Sequence, residues 1–245
     1  MATHLARHLH ESGHRIISIY SRSRDSADRL AREIGTTGTS DPLNVPDSAD
    51  FFIASVPDSV LPGLVAGFSG KKGIWLHTAG ALSVDIFRDH HPEYGVLYPL
   101  QTLSIDRPVS LVETPFLVEG STPEVQDNIV DLAGSISGNV QKMDSSTRLV
   151  IHLAAVFANN FSNHMVHIAQ RILEDQEVDQ DLLGPILNET FGRFADMGAG
   201  KSQTGPAKRG DMETMQKHLE LLKTYPEWEN LYTFISRDIG RTRDE

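Results

Sequence analysis

Short apolar runs alternate with helix-like repeats over the first half of the chain. Leu5 and Leu9 stand four apart among small residues, Gly13 follows as a helix stop, and Arg15-Ile16-Ile17-Ser18-Ile19-Tyr20 reads as a buried strand. A second helix is predicted from Ser26 to Ile34, closed by Gly35, and two further core strands from Asp50 to Val56 and from Gly73 to His77. Gly95 to Tyr98 and Pro115 to Glu119 extend the sheet, Pro123 to Ser135 reads as helix, and a last strand falls near Val140 to Met143. This alternation predicts a parallel sheet covered by helices. After Asp144 no strand pattern recurs. Ser145 or Ser146 is placed to cap a helix that runs to about Asp175, and Gln180 to Met197, Asp211 to Lys223 and Trp228 to Ile239 supply three more, with a polar loop from Gly198 to Gly210. The expectation is an α/β domain over 1–144 followed by an all-α domain over 145–245.

The front of the α/β half departs from the dinucleotide-binding pattern of strand, glycine-rich turn, helix and second strand. Here the helix is under way at residue 2, with no strand or glycine before it. Because the first strand of such a sheet is central, its loss breaks the hydrogen-bond ladder in mid-sheet. The expectation is therefore a Rossmann-like parallel sheet lacking its first strand, with a native start upstream of Met1. At the end of the second strand an NAD site carries Asp or Glu, whereas an NADP site carries small polar residues and Arg. This chain reads Tyr20-Ser21-Arg22-Ser23-Arg24, with no acid before Asp25. Ser21, Arg22 and Ser23 are thus the candidate NADP contacts; the plain alternative is a solvated loop before a helix.

Composition narrows the partners. The 245 residues are 39% hydrophobic and 22% charged, the ordinary balance of a globular protein. A formal net charge of −11 disfavours nucleic acid, whose binding depends on clustered Lys and Arg. The apolar runs are too short to span a bilayer, and the N-terminus lacks the apolar core of a signal peptide, so a cytoplasmic protein is expected. With no cysteine, disulfides, thiolate metal sites and thiol nucleophiles drop out together.

Six motifs stand in order: Ala2-Thr3-His4-Leu5-Ala6, Val56-Pro57-Asp58, His77-Thr78-Ala79-Gly80, Tyr98-Pro99-Leu100-Gln101-Thr102, the run from His152 to Phe161, and the run from Gln203 to Asp211. Together they resemble a Rossmann-like family carrying a C-terminal domain of unknown function. The chain is similar to pyrroline-5-carboxylate reductases and, more distantly, to 6-phosphogluconate and 3-hydroxyisobutyrate dehydrogenases. In that family the Ala-Thr-His-Leu run directly follows a GxGN turn. The resemblance implies an NADP-binding fold, a homodimer formed through the helical domain, and an oxidoreductase acting on a small imine, enone or keto or hydroxy acid in an interdomain cleft. It also exposes a departure: related hydroxyacid dehydrogenases carry a catalytic lysine three residues before their Asn-Asn pair, and here Val156 stands there ahead of Asn159-Asn160. A noncatalytic dinucleotide- or metabolite-binding dimer is the competing expectation.

The candidate chemistry follows. Counted at about 100° per residue, His152, Val156, Asn159, Asn163 and His167 share one helix face, a polar stripe that either lines a cleft or meets a partner. His152, Asn159 and Asn163 are the catalytic candidates, His152 because imidazole is the usual acid-base group near neutral pH; the plain alternative for His152 is a core histidine satisfied by a backbone or Asn partner. His77, Thr78 and Gly80 end one strand, and Val56 and Pro57 end the strand before it, at the edge where open parallel sheets bind ligands. Tyr98, Gln101 and Asn160 bound the substrate; Lys208 and Arg209 are placed to take its carboxylate, and Asp211 to cap the next helix. No metal is expected. The string His10-Glu11-Ser12-Gly13-His14 matches HExxH, but that chemistry needs both histidines on one helical turn and Gly13 interrupts it.

Overall fold

One helix holds two sheets together. In the computed structural model, which describes residues 1–241, α1 (Ala2–Glu11) buries Leu5 and Leu9 with Ile74, Leu76 and Leu97, while its Ala6 packs with Leu30 and Ile34. Gly13, at φ +90°, ends the helix, so His10 and His14 do not share a helical turn.

The first sheet is β1 (Ser18–Tyr20) and β2 (Thr37–Thr39), parallel and joined through α2 (Arg24–Glu33). The second consists of β3 (Ser48–Ala54), β4 (Lys72–His77), β5 (Tyr94–Pro99), β6 (Phe116–Gly120) and β7 (Val140–Lys142), in that spatial order. α3 (Leu61–Gly67) links β3 to β4, and α4 (Pro123–Gly134) links β6 to β7. Among the described residues β1 pairs only with β2 and β3 only with β4. The parallel pair β2-β1 and the parallel run β3-β4-β5 are those of a dinucleotide-binding sheet, the parallel α/β class expected from the sequence.

Several features of this half differ from the sequence reading. β6 runs antiparallel to β5, with Val96 opposite Glu119 and Tyr98 opposite Leu117. The connection between them contains no helix, and a parallel return needs a covering crossover. β2 and α3 were not predicted: Thr37-Gly38-Thr39 has no apolar run, and α3 is a short helix containing Pro62 and Gly63. The helix after β7 is α5 (Ser145–Ala155), and Asp144, not Ser145 or Ser146, caps it by accepting a hydrogen bond from Thr147 N at 2.7 Å.

Contacts divide the chain into one unit from Met1 to Ala158 and another from Asn159 onward. A π-helical stretch, Val156–Phe161, connects α5 to α6 (Ser162–Glu174). Its i→i+5 bonding breaks the 3.6-residue count, so the single polar stripe from His152 to His167 does not run through it. In the second unit Gly184-Pro185 separates a 3₁₀ turn, Gln180–Leu183, from α7 (Gly184–Met197), where one helix was expected. The expected loop after it holds two single-turn helices, α8 (Ala199–Ser202) and α9 (Pro206–Arg209). α10 (Met212–Leu222) is capped by Asp211, as predicted, and is joined to α11 (Pro226–Arg241) by a hydrogen bond between His218 Nδ1 and Tyr232 Oη, 2.9 Å. No helix among the described residues is long and apolar enough to cross a membrane.

The close approach of β5 to β6 and α4 depends on Gly95, where a Cβ would overlap the Glu119 carbonyl oxygen and the Ile129 side chain. Gly95→Ala is expected to cost about 1–3 kcal/mol, read as a lower denaturation midpoint. Gly134→Ala, with nothing near its Cβ position, is the control and should not lower it.

Candidate functional site

β1 and β3 end at the same edge of the first unit, and a cavity of about 750 Å³ opens there. Ser21 and Arg22 from the end of β1, Ser26 and Arg29 from α2, and Ser55, Val56 and Pro57 after β3 line it, with Ala2 and Thr3 of α1. Ile19, Tyr20, Leu64 and Phe68 give it an apolar wall, Tyr20 meeting Phe68 edge-on at 5.1 Å between ring centroids. The one carboxylate of the lining, Glu33, is held by the Arg7 guanidinium, which also draws its pKa below the usual range. The remaining cations, Arg22 and Arg29, are exposed and available to an anion. Ser23 serves locally instead, accepting from Ser26 N as the cap of α2.

A second cluster lies at the ends of β4 and β5. Tyr98 Oη and His152 Nδ1 share a hydrogen bond of 3.1 Å, and both rings close over Gly80: a Cβ there would lie 2.5 Å from His152 Nδ1 and 3.0 Å from Tyr98 Cζ. Only glycine fits between them. Burial pushes the Tyr98 phenol up, with nearby Arg148 partly opposing, so the hydroxyl is neutral and able to donate. Thr78 donates from Oγ1 to Ser55 Oγ at 3.2 Å, linking this cluster to the cavity lining.

Beneath them lies Arg148 of α5, fully buried and unnoticed in the sequence. Its Nη1 donates to Glu119 Oε2 at 2.6 Å, and its Nη2 to the Leu82 carbonyl at 2.5 Å and to Ser145 Oγ at 3.0 Å. A signal was present, since an arginine in the apolar run before His152 requires a buried acid, and Glu119 closes an apolar strand.

His77, expected to touch a cofactor, is instead fully buried against Phe87, because strand alternation turns it to the face opposite Thr78. Its Nδ1 accepts from Ala79 N at 3.1 Å, and Nε2 finds no well-aligned partner. Burial first, then the charge of Arg148, lowers its pKa to about 4, with the Ser83 backbone only partly offsetting them. Gln101 is exposed, its Oε1 accepting from Thr102 N at 2.8 Å. Asn159, Asn160 and Asn163 are exposed residues of the second unit, as is Arg209, with Lys208 half-buried beside it at the end of α9.

Sheet order, cavity and helical C-terminal half together define a Rossmann-like α/β protein with an appended α-helical region. Residues 1–100 match the Rossmann-like domain and residues 114–239 the domain of unknown function DUF2520. The chain belongs to the family that joins these two domains. It is similar to a Bacteroides fragilis protein provisionally named an NADP oxidoreductase, at 36% identity and a TM-score of 0.93 over 98% of this chain and 94% of that one. Two more distant structures share the fold. The Aspergillus terreus reductive aminase, in complex with NADPH4, cyclohexanone and allyl amine, has 14% identity and a TM-score of 0.69 over 100% of this chain and 95% of its own. The Myxococcus stipitatus imine reductase, in complex with NADP+, has 12% identity and a TM-score of 0.63 over 100% and 90%. No curated protein matches the chain.

The neutral His77 makes stability pH-dependent. Its folded-state pKa lies below the ordinary 6.5, so the stabilisation is complete above 6.5 and drains away as pH falls toward about 4. His77→Asn, whose amide oxygen can still accept from Ala79 N, should lose less stability than the wild type across that window when denaturation midpoints are compared. Equal losses would disprove the assignment.

Proposed function

We propose that this protein is a cytoplasmic NADP-dependent oxidoreductase that reduces a small imine, enone or keto acid. The observation that carries the reading is the Tyr98–His152 hydrogen bond closed over Gly80, next to a cavity whose exposed cations are Arg22 and Arg29. The name of the Bacteroides fragilis relative and the complexes of the aminase and imine reductase agree with it.

The cavity suits the phosphorylated adenosine end of NADP. Arg22 and Arg29, with the hydroxyls of Ser21 and Ser26, would hold the 2′-phosphate, and the Tyr20–Phe68 wall would take the base. When bound, the nicotinamide supplies a hydride. The chain's own task is then one proton. Tyr98 is neutral and mostly buried, and its hydroxyl is the donor; His152, hydrogen-bonded to it and half-exposed, returns a proton from solvent after each turnover. Gly80, lacking a Cβ, lets the two rings approach each other over it.

We also propose a homodimer formed by the helical unit, where Ile186, Phe191, Phe194, Leu221 and Phe234 are exposed, an apolar surface out of keeping with a monomer. A second reading, a noncatalytic NADP-binding dimer, draws on Val156. Its signature would be NADPH binding with no oxidation across cyclic imines, ketone-plus-amine pairs and keto acids.

Two outcomes test the main reading. Replacing Arg22 and Arg29 together by Ala should weaken NADPH binding about 10- to 100-fold in a fluorescence titration and leave NADH binding unchanged. Tyr98→Phe should lower kcat about 10²- to 10⁴-fold with NADPH affinity retained. Full activity in Tyr98→Phe would remove Tyr98 from the reaction.

A further inference from the structure

We infer that Arg148 is a positioning residue for the Tyr98–His152 pair, a single buried guanidinium that fixes the turn, strand and helix carrying Gly80, Tyr98 and His152. The inference rests on the reading of that pair as the proton-delivering site.

Each of the three elements is tied separately. Arg148 stands one helical turn before His152 on α5, so its position sets the depth and rotation of the helix at His152. Its Nη2 donates to the carbonyl of Leu82, two residues after Gly80 in the turn that follows β4. Its Nη1 donates to Glu119 of β6, which is paired with Val96; Val96 and Tyr98 point to the same face of β5. Ser145 closes the frame. Its hydroxyl donates to Glu119 Oε2 at 2.7 Å and accepts from Val84 N at 3.0 Å, so the turn and the sheet are fastened to the start of α5 as well.

Shape makes this a task for arginine. The fork spans an acid and a carbonyl on two elements at once, whereas a lysine ammonium in the same place is a single point of attachment. The pair it frames is sensitive to small displacements, because Gly80 leaves no slack: the two rings already occupy the space of one methyl group. None of Arg148, Glu119, Ser145 or Leu82 lines the cavity assigned to the dinucleotide. Cofactor affinity and proton delivery are therefore separable by mutation.

The test uses Arg148→Lys, which keeps the charge and loses the fork, and Ser145→Ala, which removes one brace and leaves the ion pair. The ring-nitrogen NMR signals of His152 report its bond to Tyr98, with Tyr98→Phe as the reference for the broken bond. Both variants are expected to move these signals toward the reference while remaining folded. Arg148→Lys should move them further and lower kcat about 10- to 100-fold, with NADPH affinity within about twofold of wild type. If Arg148→Lys does not fold, Ser145→Ala decides. His152 signals at wild-type positions in a folded variant whose denaturation midpoint has dropped would overturn the inference and leave Arg148 as a stabilising ion pair only. Absence of NADPH oxidation by the wild type would instead overturn the proposed reaction, and the NMR comparison would still decide whether Arg148 sets the pair.

Discussion

A guanidinium taken wholly out of water costs on the order of several kcal/mol of lost hydration unless an acid and further acceptors meet its terminal nitrogens. Arg148 has no exposed side-chain surface, and Glu119, the Leu82 carbonyl and Ser145 meet its two terminal nitrogens, while Nε has no hydrogen-bond partner among the described residues. Removing either charge of such a pair costs about 3–5 kcal/mol, because the other is left buried and alone. The pairing accounts for why α5 belongs with the sheet although its apolar pattern continues into the helical half: the compact unit extends to Ala158, and α5 is its last helix. It also reaches the electrostatics of its neighbours. The same positive charge lowers the pKa of His77 and opposes the burial that raises that of Tyr98.

Strand direction explains why polar chemistry collects where it does. Ile74, Trp75 and Leu76 of β4 and Val96 and Leu97 of β5 are buried, and the polar side chains stand toward the strand ends, His77, Thr78 and Tyr98 where the strands run out. β3, β4 and β5 are parallel, so their ends fall at one edge, and Ser55 and Thr78 meet there in a hydrogen bond. Not every polar residue at that edge is a site residue. His77 and Thr78 are neighbours in sequence, yet the two-residue period sends one into the core against Phe87 and leaves the other on the ligand side.

The elements that were legible in the sequence are those with strong periodicity or strong punctuation. The apolar runs of β3 to β6 and the stops at Gly13 and Gly35 were clear, as was the Asp211 cap, because each depends on a local rule that tertiary contacts do not override. β2 and α3 were not legible, since a threonine pair around glycine and a short helix with proline in it carry no period. The polar stripe failed for a different reason. Counting at a fixed angle assumes an unbroken α-helix, and nothing in the composition of Val156-Phe157-Ala158-Asn159-Asn160-Phe161 announces i→i+5 bonding. Tyr98 and His152 were each picked out on their own, but their partnership required the fold, because 54 positions separate them and the bond forms only when α5 is seated on β5. Arg148 was missed because an arginine on a helix is ordinarily a solvated one.

Val156 is the residue on which the type of reaction turns. It opens the π-helical stretch at the position where the resemblance to hydroxyacid dehydrogenases expects lysine, and an isopropyl group cannot take a proton from an alcohol. Oxidation of a hydroxyl requires such a base at the moment the hydride leaves. Reduction of a carbon–nitrogen or carbon–carbon double bond requires the opposite, a donor that is protonated beforehand. In the proposed reaction Tyr98 is that donor: its phenol is protonated, burial raising its pKa further, and it comes from the sheet, not from the helix that would carry the lysine. With the acid coming from β5, the helix would be relieved of the proton transfer itself and would retain only the relay through His152, one turn before Val156. On the proposed reading, the substitution at Val156 thus argues less for an inactive protein than for one whose proton-transfer group stands on the sheet in place of the helix.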